Sequence, residues 1–258
     1  MSVDSTRFYK GAAPLSVEQS LMKRAGMCEE FTNLLYEYCK LNQIPCLKVE
    51  GYVRPVDFRV GHKFEEGNHM WNAVFIENQW LLCDLLWSES TLKLGANVHF
   101  VKEAKPEYFL AEPATFLPTH LPLSPVFQFN DNPVSIEAFT SVEKGIDDSF
   151  PRGISTNYRD SLRVLLSMNE QDRSLKLAKQ AFNYNRNNPN VLIATAYNYA
   201  INIVNRKTAA TLDLKRAKAV LSLAINYIPL SKKPDILSLK EPSIQALNYV
   251  NRRIAFQK

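Results

Sequence analysis

The sequence predicts an α+β domain followed by an all-α domain. Three observations predict it. A helix-period run over residues 28–42 leads into three strand-like runs between residues 46 and 87. Six prolines then crowd residues 104–134. From residue 157, helical periodicity recurs almost to the end. The charge divides in the same way. Residues 1–150 hold 13 Lys and Arg against 20 Asp and Glu, a net −7, and residues 151–258 hold 18 against 6, a net +12. A chain of 258 residues is long for one core and short for three domains. The stretch "KGIDDSFPRGISTN" (144–157) is the expected boundary, giving domains 1–147 and 148–258.

Each element has a local reason. Ser16 and Gln19 have capping-box spacing ahead of a run of helix formers, and Gly26 breaks that run. The next helix starts at Cys28, where Phe31, Leu34, Leu35 and Tyr38 repeat at helical spacing. Glu29 and Glu30 suit its first turn because carboxylates favour the positive end of a helix dipole. "CLKVEGYVR" (46–54) alternates as a strand does. "HMWNAVFIE" (69–77) and "QWLLCDLLW" (79–87) read as a hairpin about Asn78. Residues 55–68 between them are polar and irregular.

The prolines at 106, 113, 118, 122, 125 and 133 exclude a helix or a central strand but allow an ordered wrap. The aromatic residues among them argue that this wrap packs on a surface. A short helix is expected within 134–145. Further helices are expected over 157–168, 170–185, 190–205, 212–227 and 240–256. Small residues at helix contact points (Ala178, Ala181, Ala196, Ala200, Ala217, Ala224), with Pro189 and Pro229 at turns, resemble one and a half tetratricopeptide-type repeats. An insertion at 204–211 spoils the period, so a generic helical bundle fits as well.

Composition excludes several classes. Hydrophobic content of 46% and charged content of 22% are ordinary for a soluble globular chain. No apolar run approaches the roughly 20 residues that span a bilayer. The opening "MSVDSTRFYKGAAPLS" has no apolar signal-peptide core, and the compartment is left open. The basic half has no glycine-rich or aromatic stacking motif. A solvated helical surface is therefore expected there, and a nucleic-acid partner is not. The four cysteines, Cys28, Cys39, Cys46 and Cys83, lack zinc spacing. Cys28 and Cys39 on one helix would stand roughly 16 Å apart and cannot bridge. Cys39, Cys46 and Cys83 read as small buried hydrophobes. His62 lies in the charged irregular stretch "RVGHKFEE" and reads as solvent-facing, His99 and His120 have no ligand-spaced partner, and neither a metal nor a cofactor is expected.

Cys28 is different. If Glu77 and Asn78 form a two-residue turn, Ile76 pairs with Gln79 and Trp71 with Asp84. His69, Trp71, Asp84 and Leu86 then share one face, with His69 and Asp84 diagonal neighbours. A thiol at a helix N-terminus beside a histidine, itself oriented by an aspartate, is the arrangement an acyl-transfer nucleophile needs. Helix-start N–H groups can also hold a developing oxyanion. Trp71 shares this face and is a candidate substrate contact, whereas Trp80 and Trp87 read as hairpin core.

These residues reach a known family. "GMCEEFTNLLYEYCKLNQIPCLKVEGY" resembles the G-x-C segment of the transglutaminase-like superfamily, and "NHMWNAVFIENQWLLCDLLW" resembles its H-x-W-N hairpin and D-P-T-W strand. "YFLAEPATFLPTHLPLSPVFQFNDNPVSIEAF" resembles a segment of the kyphoscoliosis-peptidase-like and bacterial branch. The resemblance covers roughly residues 8–140. It implies a papain-like fold, with Cys28 as nucleophile, His69 as base and acid, and Asp84 as the orienting acid. It also implies acyl transfer on protein or peptide amides, with hydrolysis favoured over cross-linking. Two features depart from the family. Asp84-Leu85-Leu86-Trp87 replaces D-P-T-W, and the family's upstream oxyanion side chain is either missing from the 27 residues before Cys28 or replaced by backbone donors. The alternative is a catalytically weak or inactive protein-binding module whose helical half holds a protein partner.

Overall fold

The computed structural model describes residues 1–4, 7, 13–55, 57–93, 99–142 and 157–256. The chain forms two compact units. The first comprises Met1–His62 and Gly67–Tyr158, and the second Lys63–Glu66 and Arg159–Lys258. The boundary expected at 147/148 lies outside the described residues.

The first unit opens with β1 (Ser2–Val3), α1 (Val17–Lys23) and β2 (Ala25–Gly26), with β1 and β2 pairing in parallel. The expected capping box is present: the Ser16 hydroxyl accepts from the Gln19 amide at 3.1 Å, and the Gln19 side chain accepts from the Ser16 amide at 3.0 Å. The helix α2 (Cys28–Leu41) follows and ends at Asn42, whose amide donates to the Tyr38 and Cys39 carbonyls. α2 packs on β3 (Cys46–Val53) and β4 (His69–Ile76). With β5 (Gln79–Cys83), these strands form an antiparallel sheet of order β5-β4-β3-β8, whose last strand, β8 (His120–Pro122), comes from the proline-rich wrap.

Ile76 pairs with Gln79 across Glu77 and Asn78, both of which have positive φ (49° and 63°). Two left-handed residues make the hairpin turn whose twist matches its strands. β5 stops at Cys83, earlier than the strand read over 79–87. Residues 85–89 instead form a short helix, α3 (Leu85–Glu89), because the Asp84 carboxylate caps the Leu86 and Trp87 amides. β6 (Ser90–Lys93) and β7 (His99–Lys102) form a separate pair. The wrap then runs through a 3₁₀ turn (Pro106–Tyr108), α4 (Pro113–Phe116), β8, a second 3₁₀ turn (Pro125–Gln128) and α5 (Ile136–Thr140). Pro122 is tolerated because β8 is an edge strand.

The second unit contains α6 (Tyr158–Ser167, from Arg159 on), α7 (Glu170–Tyr184), α8 (Asn190–Val204), α9 (Thr211–Tyr227), α10 (Pro234–Leu237) and α11 (Lys240–Phe256). The alanines expected at helix contacts are buried there: Ala178 and Ala181 on α7, Ala196 and Ala200 on α8, Ala217 and Ala224 on α9. α8 packs against α7 and α9, and α9 against α11. Lys63–Glu66, read as part of an irregular stretch, belongs to this core. Phe64 is buried, the Asn185 amide donates to the Phe64 carbonyl at 2.8 Å, and the Asn190 amide donates to the Glu65 carbonyl at 3.3 Å. Lys232 and Lys233 pair with Glu65 and Glu66.

Candidate active site

The candidate site lies at the head of α2 and the neighbouring sheet end. Glu30 organises the helix head. Its carboxylate accepts from the Met27 amide (2.8 Å), the Leu15 amide (2.8 Å) and the Arg7 guanidinium (2.7 Å). Burial would raise the pKa of Glu30, but these donors outweigh burial and hold it below its ordinary value. Cys28 sits in the first turn above this carboxylate and is half-buried.

His69 opens β4 opposite Gly51 of β3. The strand start is pinned by Asn68, whose side chain accepts from the Val53 amide (2.7 Å) and donates to the Val53 carbonyl (2.8 Å). Gly51 is required by space. A Cβ there would lie 2.3 Å from the Trp71 ring, 2.4 Å from the Leu121 carbonyl oxygen and 2.9 Å from the Pro122 Cα. Gly51 thus leaves room for the Trp71 ring, whose centroid lies 6.2 Å from that of His69 and 5.1 Å from that of His120.

Asp84 joins the parts. Its amide donates to the Tyr108 carbonyl at 2.8 Å. Oδ1 accepts the Leu86 and Trp87 amides at 2.9 and 3.0 Å. Oδ2 meets Nε2 of His69 at 2.5 Å and Nε2 of His120 at 3.1 Å. His69 and Asp84 thus converge as the hairpin parity predicts, although Asp84 stands one residue beyond the end of the strand.

The electrostatics follow from this convergence. Burial pulls the His69 pKa down, but the Asp84 charge and hydrogen bond outweigh it. Cys28 adds to the rise, and the result is about 10. Nε2 is the ring nitrogen that Asp84 engages. Burial acts on Asp84 in the opposite sense and is outweighed by the two histidines, which hold its carboxyl well below the usual range.

His120 is the residue that sequence reasoning missed. It opens β8, pairs with Val53, and is 1% exposed. Its Nδ1 lies 2.8 Å from the Thr119 hydroxyl. Burial lowers its pKa to about 4 against the pull of Asp84, so the ring is neutral near pH 7. Trp71, Trp87, Tyr108 and Phe116 surround it with ring centroids 4.6–5.5 Å away. Trp71, expected at the substrate, is itself 1% exposed and forms an inner wall, with its indole N–H buried and unpartnered.

His69, Asp84 and His120 bring three potential ligand atoms within 4.8 Å of one another. Their geometry is that of a hydrogen-bonded trio. Ligands about 2.0–2.1 Å from a tetrahedral zinc ion stand roughly 3.3 Å apart, whereas His69 and Asp84 are in direct contact at 2.5 Å. The arrangement can orient one imidazole and keep it charged beside a thiol at a helix N-terminus.

Residues 2–85 match the model of the transglutaminase-like superfamily, a span that includes Cys28, His69 and Asp84 and excludes His120. Kyphoscoliosis peptidase of Homo sapiens is 30% identical over 113 residues, covering 43% of this chain and 17% of that protein. The Mus musculus kyphoscoliosis peptidase is 29% identical over 113 residues, with the same coverage. The chain thus matches about a sixth of the length of these relatives.

Proposed function

Because residues 2–85 match the model of the transglutaminase-like superfamily, we propose that the chain's first unit is a cysteine acyl-transfer enzyme acting on peptide or protein amides. Cys28 is the nucleophile, His69 the base and acid, and Asp84 the orienting acid. One observation carries this reading: the imidazole of His69 is held by Asp84 at 2.5 Å, and Cys28, which heads a helix, is near enough to add to the rise of the His69 pKa.

The Cys28 sulfur attacks the carboxamide carbon, forming C–S and placing the electron pair on oxygen. N–H groups of the first turn of α2 stabilise that oxyanion. The C–N bond then breaks, and the His69 imidazolium protonates the leaving amine. Neutral His69 next takes a proton from water, which attacks the thioester. The acid product leaves, and the imidazolium and thiolate return. An amine in place of water would give transamidation. The curated relatives are named peptidases, which favours water.

A catalytically weak protein-binding module is the second reading. It draws on the burial of His69, 6% exposed, in a wall of aromatic rings. For the helical unit we propose a peptide or protein partner. Its open cleft of about 420 Å³ is lined by Asp172, Tyr199, Arg206 and Arg216 among others.

The test is incubation with a peptide library and a primary amine, read by mass spectrometry. Cleavage or deamidation dependent on Cys28 is expected. Cross-linking to the amine would transfer the reading to transamidation, and no reaction would favour the binding module.

A further inference from the structure

The chemistry of each partner fixes the direction of every hydrogen bond around His120. An ionised Asp84 only accepts, so Nε2 of His120 carries the proton and donates to Oδ2 at 3.1 Å. In a neutral ring, Nδ1 must then accept, so the Thr119 hydroxyl donates to it at 2.8 Å. The Phe116 carbonyl, another acceptor near that hydroxyl, is farther away at 3.3 Å. A chain of side chains therefore runs from Thr119 through His120 to Asp84, and it ends on the same carboxylate oxygen that holds His69. The rings of Trp71, Trp87, Tyr108 and Phe116 pack around His120.

We propose that His120 is a positioning residue: by donating to Oδ2 it fixes the Asp84 carboxylate and takes a share of its charge, so that His69 is held as an imidazolium less tightly than a lone aspartate would hold it. This rests on reading Cys28, His69 and Asp84 as the acyl-transfer site. The reason is chemical. In that reaction His69 must surrender its proton to the leaving amine, and an imidazolium bound too strongly by its aspartate is a poor acid. A second donor stabilises the carboxylate most when His69 is neutral, so it eases that loss. The Thr119 hydroxyl on Nδ1 polarises the ring and strengthens its Nε2–H as a donor. Among the described residues, the other titratable groups that act on the cluster are Cys28, Cys83 and Tyr108.

The test uses the full chain and nitrogen-edited NMR of the histidine rings from pH 6 to 11. In His120→Phe the His69 midpoint is expected to rise by about one pH unit, a tenfold change in its acid dissociation constant. Thr119→Val, which leaves every ring in place, is expected to shift it less but in the same direction. His120→Gln, which keeps an N–H donor, is expected to restore the wild-type midpoint. A midpoint unchanged or lowered in His120→Phe and Thr119→Val overturns the proposal. If His120→Phe does not fold, Thr119→Val decides alone. The readout needs no turnover. Should wild-type Cys28 alkylate no faster than an ordinary thiol, the acyl-transfer reading would fail while the His69 midpoint still decided the role of His120.

Discussion

The two ends of α2 carry the same residue in opposite surroundings. At the head, Cys28 is half-buried and stands on the positive end of the helix dipole, where we propose that it works with His69. At the tail, Cys39 is buried with Val74 and Cys83, and Leu35, Ile44 and Cys46 pack around it. Burial raises the Cys39 thiol pKa and pushes Cys46 and Cys83 up to about 12. A thiol is reactive only as thiolate, so the tail cysteines serve as small hydrophobes. Position on the helix and one buried ion pair separate the two settings.

Breaking that ion pair should have the largest effect. Asp84→Ala leaves His69 buried without its counter-charge, and it also strips the Leu86 and Trp87 amides of their cap. A loss of about 3–5 kcal/mol in urea unfolding is expected. A loss under about 1 kcal/mol would show that the pair is not held in the folded state. The next effect is chemical. Iodoacetamide at pH 6 should label Cys28 and spare Cys39, Cys46 and Cys83. His69→Ala should slow that labelling about 100-fold, toward an ordinary thiol that is roughly 0.3% ionised at this pH. Equal labelling of all four cysteines would abolish the contrast between head and tail.

The pH dependence of stability sharpens the same point. The His69 pKa is raised from 6.5 to about 10, so its contribution is complete below pH 6.5 and is lost as pH rises toward 10. The Asp84 pKa is depressed, so its contribution is present above about pH 4 and is lost in acid. His120 is lowered to about 4, so the unfolded chain takes up that proton first, and stability falls as pH drops from 6.5 to 4. Stability should therefore peak near pH 6–7. His69→Gln should remove the decline on the alkaline side, which urea midpoints at pH 7 and pH 9.5 would check.

A smaller effect is expected where the site depends on the sheet. Gly51→Ala places a Cβ against the Trp71 ring and the β8 backbone, and should cost about 1–3 kcal/mol in denaturant unfolding. The sequence shows this glycine only as one place in an alternating strand, because the crowding comes from Leu121 and Pro122, about 70 residues away. His120 was hidden for the same reason. It reaches Asp84 through pairing of β8 on the far edge of β3, and its proline-rich neighbourhood has no period to read. His69 and Asp84 were legible because a two-residue turn fixes the parity of a hairpin, a purely local rule. The rule did not reach the strand's end, where the Asp84 carboxylate starts a helix at Leu85. Lys63–Glu66 shows the same limit: nothing within "KFEE" announces that asparagines 121 and 125 residues later will bond its carbonyls.

The smallest expected effect tests whether the head of α2 responds to its tail. Cys39→Ala removes one sulfur from a packed apolar cluster and leaves a small cavity, which should cost about 1 kcal/mol. The hydrogen bond from the Ile44 amide to the Cys39 carbonyl, 2.8 Å, uses backbone atoms alone and is unchanged by the substitution. The helix end therefore stays in place, and with it the register of Cys28 some three turns away. The Cys28 labelling rate at pH 6 should stay within about twofold of wild type, since no group that sets it has moved. A tenfold fall would mean that packing at the tail holds the thiol against His69, and the two ends of the helix would then have to be read as one site.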